Sequence, residues 1–410
     1  MSALAQYCKD HGAVVTGSDR DASPVTALLE RKGIQVMIPQ RAENVPEYAD
    51  TIVYSDAVPE DNPERARARS LGIPQLSYFG MLGEVSKGKR TVAVAGTHGK
   101  TTTTGMLAKV LQDAGASPTA IVGSLVKDFG SNYLHGDSNL FVVEACEYRD
   151  HLLELSPEVL VITNLEWDHT DYFPSLEALQ ETFKKAIEGV PAEGAIVTDV
   201  SNPNIAPLLT GAKARVIDYT KEPVYELRLP GVFNQQNARA AATAARVALP
   251  TIEDTVIYES IAAFQGTWRR FEYKGTTAKG AEVYDDYAHH PTAVRETLKA
   301  LRAKVKGKIF VAFHPHLYSR TRDLLDEFAT AFIDADQVLI APIYAAREVD
   351  DGSISSEILA ERISESGTPA RAATFEEIEQ ILQSDPSADD VIMTMGAGDI
   401  YKVADALVSK

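Results

Sequence analysis

The run Ala95-Gly96-Thr97-His98-Gly99-Lys100-Thr101-Thr102-Thr103-Thr104 constrains this chain more than any other stretch. An apolar segment, Thr91 to Ala95, precedes it and reads as a buried parallel strand. A helical pattern, Met106 to Leu111, follows and closes at Gly115. Strand, glycine-bearing turn, Lys-Thr and helix form the layout of a phosphate-binding loop. In it, backbone N–H groups and a helix N-terminus face the anion, a Lys supplies a point charge, and a Thr hydroxyl can ligand Mg²⁺. The glycines are spaced G-x-x-G-K-T rather than with four residues between them, and a His precedes the second Gly. That short loop is characteristic of a narrower group of ATP users. An ordinary strand-to-helix turn would not require Lys-Thr at the helix start. Gly96, Thr97, His98, Gly99, Lys100, Thr101 and Thr102 are therefore expected to cradle ATP.

The rest of the composition fits an enzyme of several domains. A length of 410 residues suggests two or three cores. A formal net charge of −18 argues against a nucleic-acid surface, which needs a basic patch. Two cysteines, Cys8 and Cys146, cannot make a disulfide framework. No apolar run reaches the length of a membrane span, and no basic-then-apolar leader opens the chain, so a cytoplasmic location without membrane insertion is expected.

Three blocks follow one another, with expected boundaries at 1–87, 88–267 and 268–410. In the first, helical segments at Val25 to Lys32 and Glu64 to Ser70 alternate with strands at Val14 to Asp19, Ile34 to Ile38 and Thr51 to Ser55. This alternation implies a parallel α/β layer. Its opening is odd, because the chain starts inside a helix, Ser2 to Asp10. A dinucleotide-type fold would place a central strand and a Gly-rich loop before it. The second block carries the phosphate loop and two more apolar strands, Leu140 to Val143 and Val159 to Thr163, then an Ala-rich helix reaching Leu249. Asn234 and Asn237 sit before and within the first turn of that helix, and capping accounts for Asn234 alone. The third block alternates strands at Ala281 to Tyr284, Lys308 to Phe313, Gln337 to Ala341 and Val391 to Met395 with helices at Pro291 to Val305, Arg322 to Ile333, Ser356 to Glu365 and the C-terminus.

Chemistry is concentrated just after the strands, where ligand sites of open α/β sheets lie. The segments are Glu144-Ala145-Cys146-Glu147-Tyr148, Asn164-Leu165-Glu166-Trp167-Asp168-His169, Asp285-Asp286-Tyr287-Ala288-His289-His290, His314-Pro315-His316-Leu317-Tyr318-Ser319-Arg320-Thr321 and Gly396-Ala397-Gly398-Asp399. A lone His is more often structural than functional. Six of the nine His residues fall in these motifs and the phosphate loop, which tips the weight toward a site. Mg²⁺ is hard and is usually held by one or two carboxylates plus substrate phosphates, so Glu144 and the Thr101 hydroxyl are its expected ligands. His169 could bind a second divalent ion. The spread over three blocks argues for an interdomain cleft, completed by Arg270, Asp286, His290 and Arg320, that excludes water and orients reactants.

Taken in order, these segments resemble those of the Mur ligases of peptidoglycan synthesis, over nearly the whole chain. The phosphate loop alone is shared with folylpolyglutamate synthetase, but the ordered set is far more specific. The resemblance implies three α/β domains: a Rossmann-like N-terminal domain lacking its first strand, a central P-loop ATP-binding domain, and a doubly wound C-terminal domain. It further implies an amide ligase that uses ATP to activate the lactyl carboxylate of UDP-N-acetylmuramate as an acyl phosphate, which the amine of L-alanine attacks. Mg²⁺, with Mn²⁺ as an alternative ion, would accompany ATP. By carry-over, Lys100 contacts the phosphates, Thr101 and Glu144 hold Mg²⁺, and His169 holds a second ion or orients substrate. Asn234 and Asn237 would reach the adenine, and Asp286 the ribose. Arg270 and Arg320 would face the phosphoryl group and the substrate carboxylate, with Tyr287 and His290 near the amino acid. Ser18, Asp19, Ser55 and His98 would contact the sugar nucleotide. The expected assembly is a monomer or weak homodimer.

Leu317 stands where some relatives carry an Arg, so one charge contact does not transfer. The family's first domain begins with a strand and Gly-rich diphosphate loop ahead of the sequence that starts this chain. Adding such a segment is expected to tighten UDP-sugar binding strongly and ATP binding little, as calorimetry on both forms would reveal. Competing functions are a tripeptide-adding recycling ligase, a folate-polyglutamating enzyme, which would leave the first block idle, and a non-catalytic nucleotide-binding paralogue. Retention of Lys100, Glu144, His169 and Asp286 argues against the last of these.

Overall fold

Alternating strands and helices build parallel-dominated sheets, as the sequence predicts. The computed structural model describes residues 1–408. It contains two compact units: Met1–Leu165 with Gln180–Tyr225 and Asn237–Phe264, and Glu166–Leu179 with Glu226–Gln236 and Gln265–Lys410.

In the first unit, the N-terminal residues form two separate two-stranded parallel sheets. Thr16–Ser18 pairs with Gln35–Met37, and Ile52–Tyr54 pairs with Gln75–Ser77. Every one of these strands is only three residues long, and none is buried throughout. The last of them, and the helix Tyr78–Ser86 that follows, carried no clear periodic signal in the sequence.

A seven-stranded sheet forms the core of this unit. Its order is Arg215–Asp218, Ala195–Thr198, Val159–Ile162, Arg90–Ala95, Leu140–Glu144, Thr119–Val126 and Ser131–Leu134. All but the last are parallel to their neighbours. The phosphate-loop strand is thus central, flanked by the two apolar strands read from the sequence. Val94 lies opposite Glu144, and Ala95 opposite Ile162. Their carboxyl ends therefore open on one edge. Continuous burial from Val92 to Ala95 and from Phe141 to Val143 explains why these strands read as unbroken apolar runs.

The second unit carries a six-stranded sheet ordered Glu272–Thr276, Glu282–Asp286, Val391–Met395, Ile309–Phe313, Gln337–Ile340 and Ala370–Ala372. Only the first strand is antiparallel. Apolar clusters cover both faces. One includes Val294, Leu298, Phe328 and Phe332 from the helices, and the other Ile378, Leu382, Ile400 and Leu407. Three neighbouring strands again end on one edge, delivering Asp286, Gly396 and His314 together.

Two helix assignments need correction. The segment expected as one helix from Arg322 to Ile333 is two, Tyr318–Asp323 and Leu325–Ala331, broken at Leu324. The Ala-rich helix runs Val232–Ala248, so Asn234 lies inside it rather than ahead of it. Its side-chain Nδ2 donates to the Pro230 carbonyl at 2.7 Å. Gly231, at φ +100°, makes the turn that starts the helix three residues earlier than the Asn pattern suggests.

Candidate active site

The phosphate loop is built by close approach. Gly96 has φ +126°, and a Cβ there would lie 2.2 Å from the Thr163 hydroxyl and 2.8 Å from the Asn164 carbonyl oxygen. Gly99 has φ +80°, and a Cβ there would strike the Asn237 side chain. Both positions need glycine. Asn164 then clasps the loop from the neighbouring strand end. Its Oδ1 accepts from the His98 N–H at 2.9 Å, and its Nδ2 donates to the His98 carbonyl at 3.0 Å. The Thr163 hydroxyl donates to the same carbonyl at 2.6 Å. The helix Lys100–Asp113 starts at Gly99, which has no side chain to cap it, the local geometry that accepts an anion.

Lys100 is held at the mouth of this loop. Its Nζ donates to the carbonyls of Gly96 and Thr97 and pairs with the Glu147 carboxylate at 3.0 Å. Burial works against its charge, but the neighbouring carboxylates, Glu147 foremost and then Glu144, help to outweigh it and push its pKa up, so the ammonium is retained. Beside it, the Thr101 hydroxyl donates to Glu144 Oε1 at 3.0 Å, while Glu144 Oε2 accepts from the Gly123 N–H at 2.7 Å. A Cβ at Gly123 would collide with that carboxylate, so glycine makes the room. Hydroxyl and carboxylate side by side at a phosphate loop form a hard-oxygen donor set suited to Mg²⁺. Asn237 also belongs to this unit, its Oδ1 accepting from the Thr103 hydroxyl. Burial raises the Cys146 thiol pKa to about 12, so it stays protonated and unreactive at neutral pH.

Ser18, Asp19 and Ser55 lie in the same unit, at or just after the ends of the short N-terminal strands. The Ser18 hydroxyl donates to Glu64 at 2.6 Å, and Asp19 accepts from the Arg20 N–H. Ser55 accepts from the Ala57 N–H at 3.4 Å.

The remaining candidates occupy the second unit. Asp286 is buried, with its carboxylate accepting from the N–H groups of Phe271 at 2.6 Å and Ala288 at 2.7 Å. Burial raises its pKa to about 6, against the pull of Arg270 and those two amides. Arg270 stacks over the Tyr287 ring at 4.9 Å. Its neighbour Arg269, which sequence reasoning passed over, is the structural one. Arg269 is buried, pairs with Asp285 at 2.8 Å and donates to the carbonyls of Gly396 and Gly398. It ties the ends of two neighbouring strands together. The only sequence signal is the Arg-Arg pair itself, which cannot say which member turns inward.

Arg320 is also fully buried. It binds Asp168 through Nε at 2.8 Å and Nη2 at 2.7 Å, and reaches His316 Nδ1 through Nη1. Asp168 also accepts from the N–H of His169, whose φ of +54° is left-handed. A non-glycine residue in that conformation is costly and is retained where the surroundings demand it. His290 sits at the start of the helix Pro291–Arg302, capping it through the Thr292 N–H and contacting the Trp167 carbonyl at 3.2 Å. His314 is pushed down to about 4 and His316 to about 3, both mainly by burial, and burial also holds His289 well below its ordinary value. All three are neutral at pH 7. Arg269→Met should lower the melting temperature by several degrees, since it strips the buried Asp285 of its partner.

Family models match along the chain in register with these parts. The model described as "Mur ligase family, catalytic domain" matches residues 1–90, "Mur ligase middle domain" residues 94–225, and "Mur ligase, glutamate ligase domain" residues 269–398.

The chain belongs to the Mur ligase family.

Among Mur ligases, it is 39% identical to the UDP-N-acetylmuramate–L-alanine ligase of Acetivibrio thermocellus, a match covering 99% of this chain and 92% of that one. It is 36% identical to the protein of the same name from Alkaliphilus metalliredigens, over 100% of this chain and 95% of the relative. The crystal structure of the UDP-N-acetylmuramate–alanine ligase of Thermotoga maritima superposes with a TM-score of 0.81 at 27% identity, covering 100% of this chain and 95% of that one. A murein peptide ligase from Psychrobacter arcticus shares the Mur ligase fold with a TM-score of 0.77 at 23% identity, covering 100% and 96%. Among the described residues no helix is long and apolar enough to cross a membrane.

Proposed function

We propose that this Mur ligase uses ATP to join L-alanine to the lactyl carboxylate of UDP-N-acetylmuramate, in the cytoplasm, as a step of peptidoglycan precursor synthesis. The observation that carries the reading is the phosphate loop with Lys100, Thr101 and Glu144 gathered on one sheet edge, in a chain alike over its full length to ligases of that name. The domains are assigned as 1–87 for the sugar nucleotide, 88–267 for ATP and 268–410 for completing the ligase site.

The chemistry divides into two steps. A carboxylate oxygen of the sugar attacks the γ-phosphorus of ATP, ADP leaves, and an acyl phosphate results. The neutral amine of L-alanine then attacks the acyl carbon, and the tetrahedral intermediate expels phosphate to leave the amide. Lys100 and the N–H groups of the loop stabilise charge on the moving phosphoryl group. Thr101 and Glu144 would hold Mg²⁺, and His169 a second ion or the substrate. Bound Mg²⁺ supplies positive charge for the phosphate oxygens. Arg270 and Arg320 are assigned to the phosphoryl group and substrate carboxylate, Asn234 and Asn237 to the adenine, Asp286 to the ribose, and Tyr287 and His290 to the amino acid. Ser18, Asp19, Ser55 and His98 are assigned to the sugar nucleotide.

Phosphate release measured with UDP-N-acetylmuramate, ATP and a choice of acceptor tests the reading. Release is expected with L-alanine. Dependence on a tripeptide instead would make the chain a recycling ligase, and no acceptor dependence would make it a nucleotide-binding paralogue.

Glu144→Gln keeps the side-chain size but removes an anionic ligand, so a higher Mg²⁺ concentration should be needed for half-maximal rate. An unchanged Mg²⁺ titration would move the metal site elsewhere.

Asp286 predicts an acid limb. Burial raises its carboxyl pKa to about 6, well above the ordinary aspartate range. As an ionised acceptor for a ribose hydroxyl it is lost as pH falls through about 6, so kcat/KM for ATP should fall there. The stability effect has the opposite sign. The fold binds this proton more tightly than the unfolded chain, so ionising Asp286 costs stability above about pH 6, and that cost fades on acidification. In Asp286→Asn the acid limb should disappear, along with part of the ATP affinity. His289, His314 and His316, already neutral, add no limb between pH 5 and 8.

A further inference from the structure

Glu147 has no place in the chemistry above, yet it is only 1% exposed and pairs with the central cation of the site. An ammonium offers three donors and no acceptor. All three of Lys100's have takers: the Gly96 carbonyl, the Thr97 carbonyl and the Glu147 carboxylate. A nucleotide phosphate must therefore displace one of them. The two carbonyls belong to the loop itself, whereas Glu147 stands on the neighbouring strand end, three residues beyond Glu144. It is the anionic competitor.

The backbone keeps it there. Arg149 and Asp150, which follow almost at once, both adopt left-handed conformations, at φ 53° and 61°. Two consecutive non-glycine residues in that region are costly. The turn is anchored by the Asp150 N–H on the Glu147 carbonyl at 3.1 Å and by the Thr182 hydroxyl on the Asp150 carboxylate. Glu147 cannot withdraw by a simple slide of the chain.

We infer that Glu147 is a positioning residue of the nucleotide site: it holds Lys100 extended and charged when phosphate is absent, and competes with phosphate for the same ammonium. This limits nucleotide affinity and helps ADP leave. The inference rests on the assignment of Lys100 to the ATP phosphates.

Calorimetry of ADP binding in the presence of Mg²⁺ tests it, using the full chain and the variant Glu147→Gln. The dissociation constant for ADP should fall roughly three- to tenfold. In turnover, KM for ATP and kcat should fall together, because the product is retained longer. Glu147→Asp keeps the charge on a shorter arm and should give an ADP affinity between wild type and Glu147→Gln, so the idea stays testable if the Gln variant folds poorly. In a Lys100→Met background, Glu147→Gln should no longer tighten ADP binding. Unchanged or weaker ADP binding in a folded Glu147→Gln protein would overturn the inference, as would equal tightening without Lys100. Failure of the wild-type chain to bind ADP at all would instead sink the assignment of the phosphate loop.

Discussion

Lys100→Ala should abolish ligation. The side chain carries the positive charge of the phosphate loop, and the Glu147 carboxylate 3.0 Å away favours that charge against burial. Losing such a contact to a transferring phosphoryl group costs on the order of hundredfold or more in rate. The loss should fall mainly on kcat, since the charge matters most as the phosphoryl group moves. The same substitution strips Glu147 of its ammonium partner, and breaking a buried pair from one side costs stability, commonly about 3–5 kcal/mol. Activity and stability must therefore be separated. Lys100→Ala combined with Glu147→Gln removes both charges and should recover much of the melting temperature without recovering phosphate release. Near-normal turnover in either variant would refute the assignment of Lys100.

Asp168→Ala should produce the largest loss of stability among the site residues of the second unit. Arg320 is 1% exposed and places two nitrogens on that one carboxylate, so truncation leaves a guanidinium in the interior with His316 as its remaining side-chain hydrogen-bond partner. A cost of about 3–5 kcal/mol is expected. Asp168→Asn, which keeps one acceptor, should lose less. The pH dependence discriminates further. Burial works against the Asp168 charge, but the cationic surroundings, Arg320 foremost, outweigh it and hold the carboxyl well below its ordinary value. A depressed carboxyl stabilises the fold above its unfolded pKa and loses that contribution only as pH drops through the folded one. The melting-temperature gap between wild type and Asp168→Ala should thus be full at neutral pH and begin to close only below about pH 4. A gap independent of pH down to strong acid would mean that packing, not charge, sets the effect. Because Arg320 would also lose its orientation, turnover should fall in Asp168→Asn even where the protein stays folded.

Much of this was readable in one dimension because the relevant physics is local. The phosphate loop announces itself since glycine, Lys-Thr, an apolar strand and a helix are consecutive. Within the strands Arg90–Ala95, Leu140–Glu144 and Val159–Ile162, residues 92–95, 140–143 and 159–162 are continuous apolar runs because both of their faces are covered. Glu144 could be named as a metal ligand because it ends such a strand. Less was legible where the periodic signal is short or mixed. The strands Thr119–Val126 and Ser131–Leu134 contain polar residues and a register shift, and Ala370–Ala372 has only three residues.

What only the tertiary structure decided is which charges are tools and which are braces. Arg269 and Arg270 are adjacent, and nothing in their identity says that the first is buried among Asp285, Gly396 and Gly398. Asp168 and Arg320 are 152 residues apart, and Lys100 and Glu147 are 47 apart. Sequence sets which groups can ionise and where strands end. Whether a group keeps its charge depends on the water it loses and the partner it meets. Both of those are properties of residues distant in the chain, fixed only once the sheets have formed.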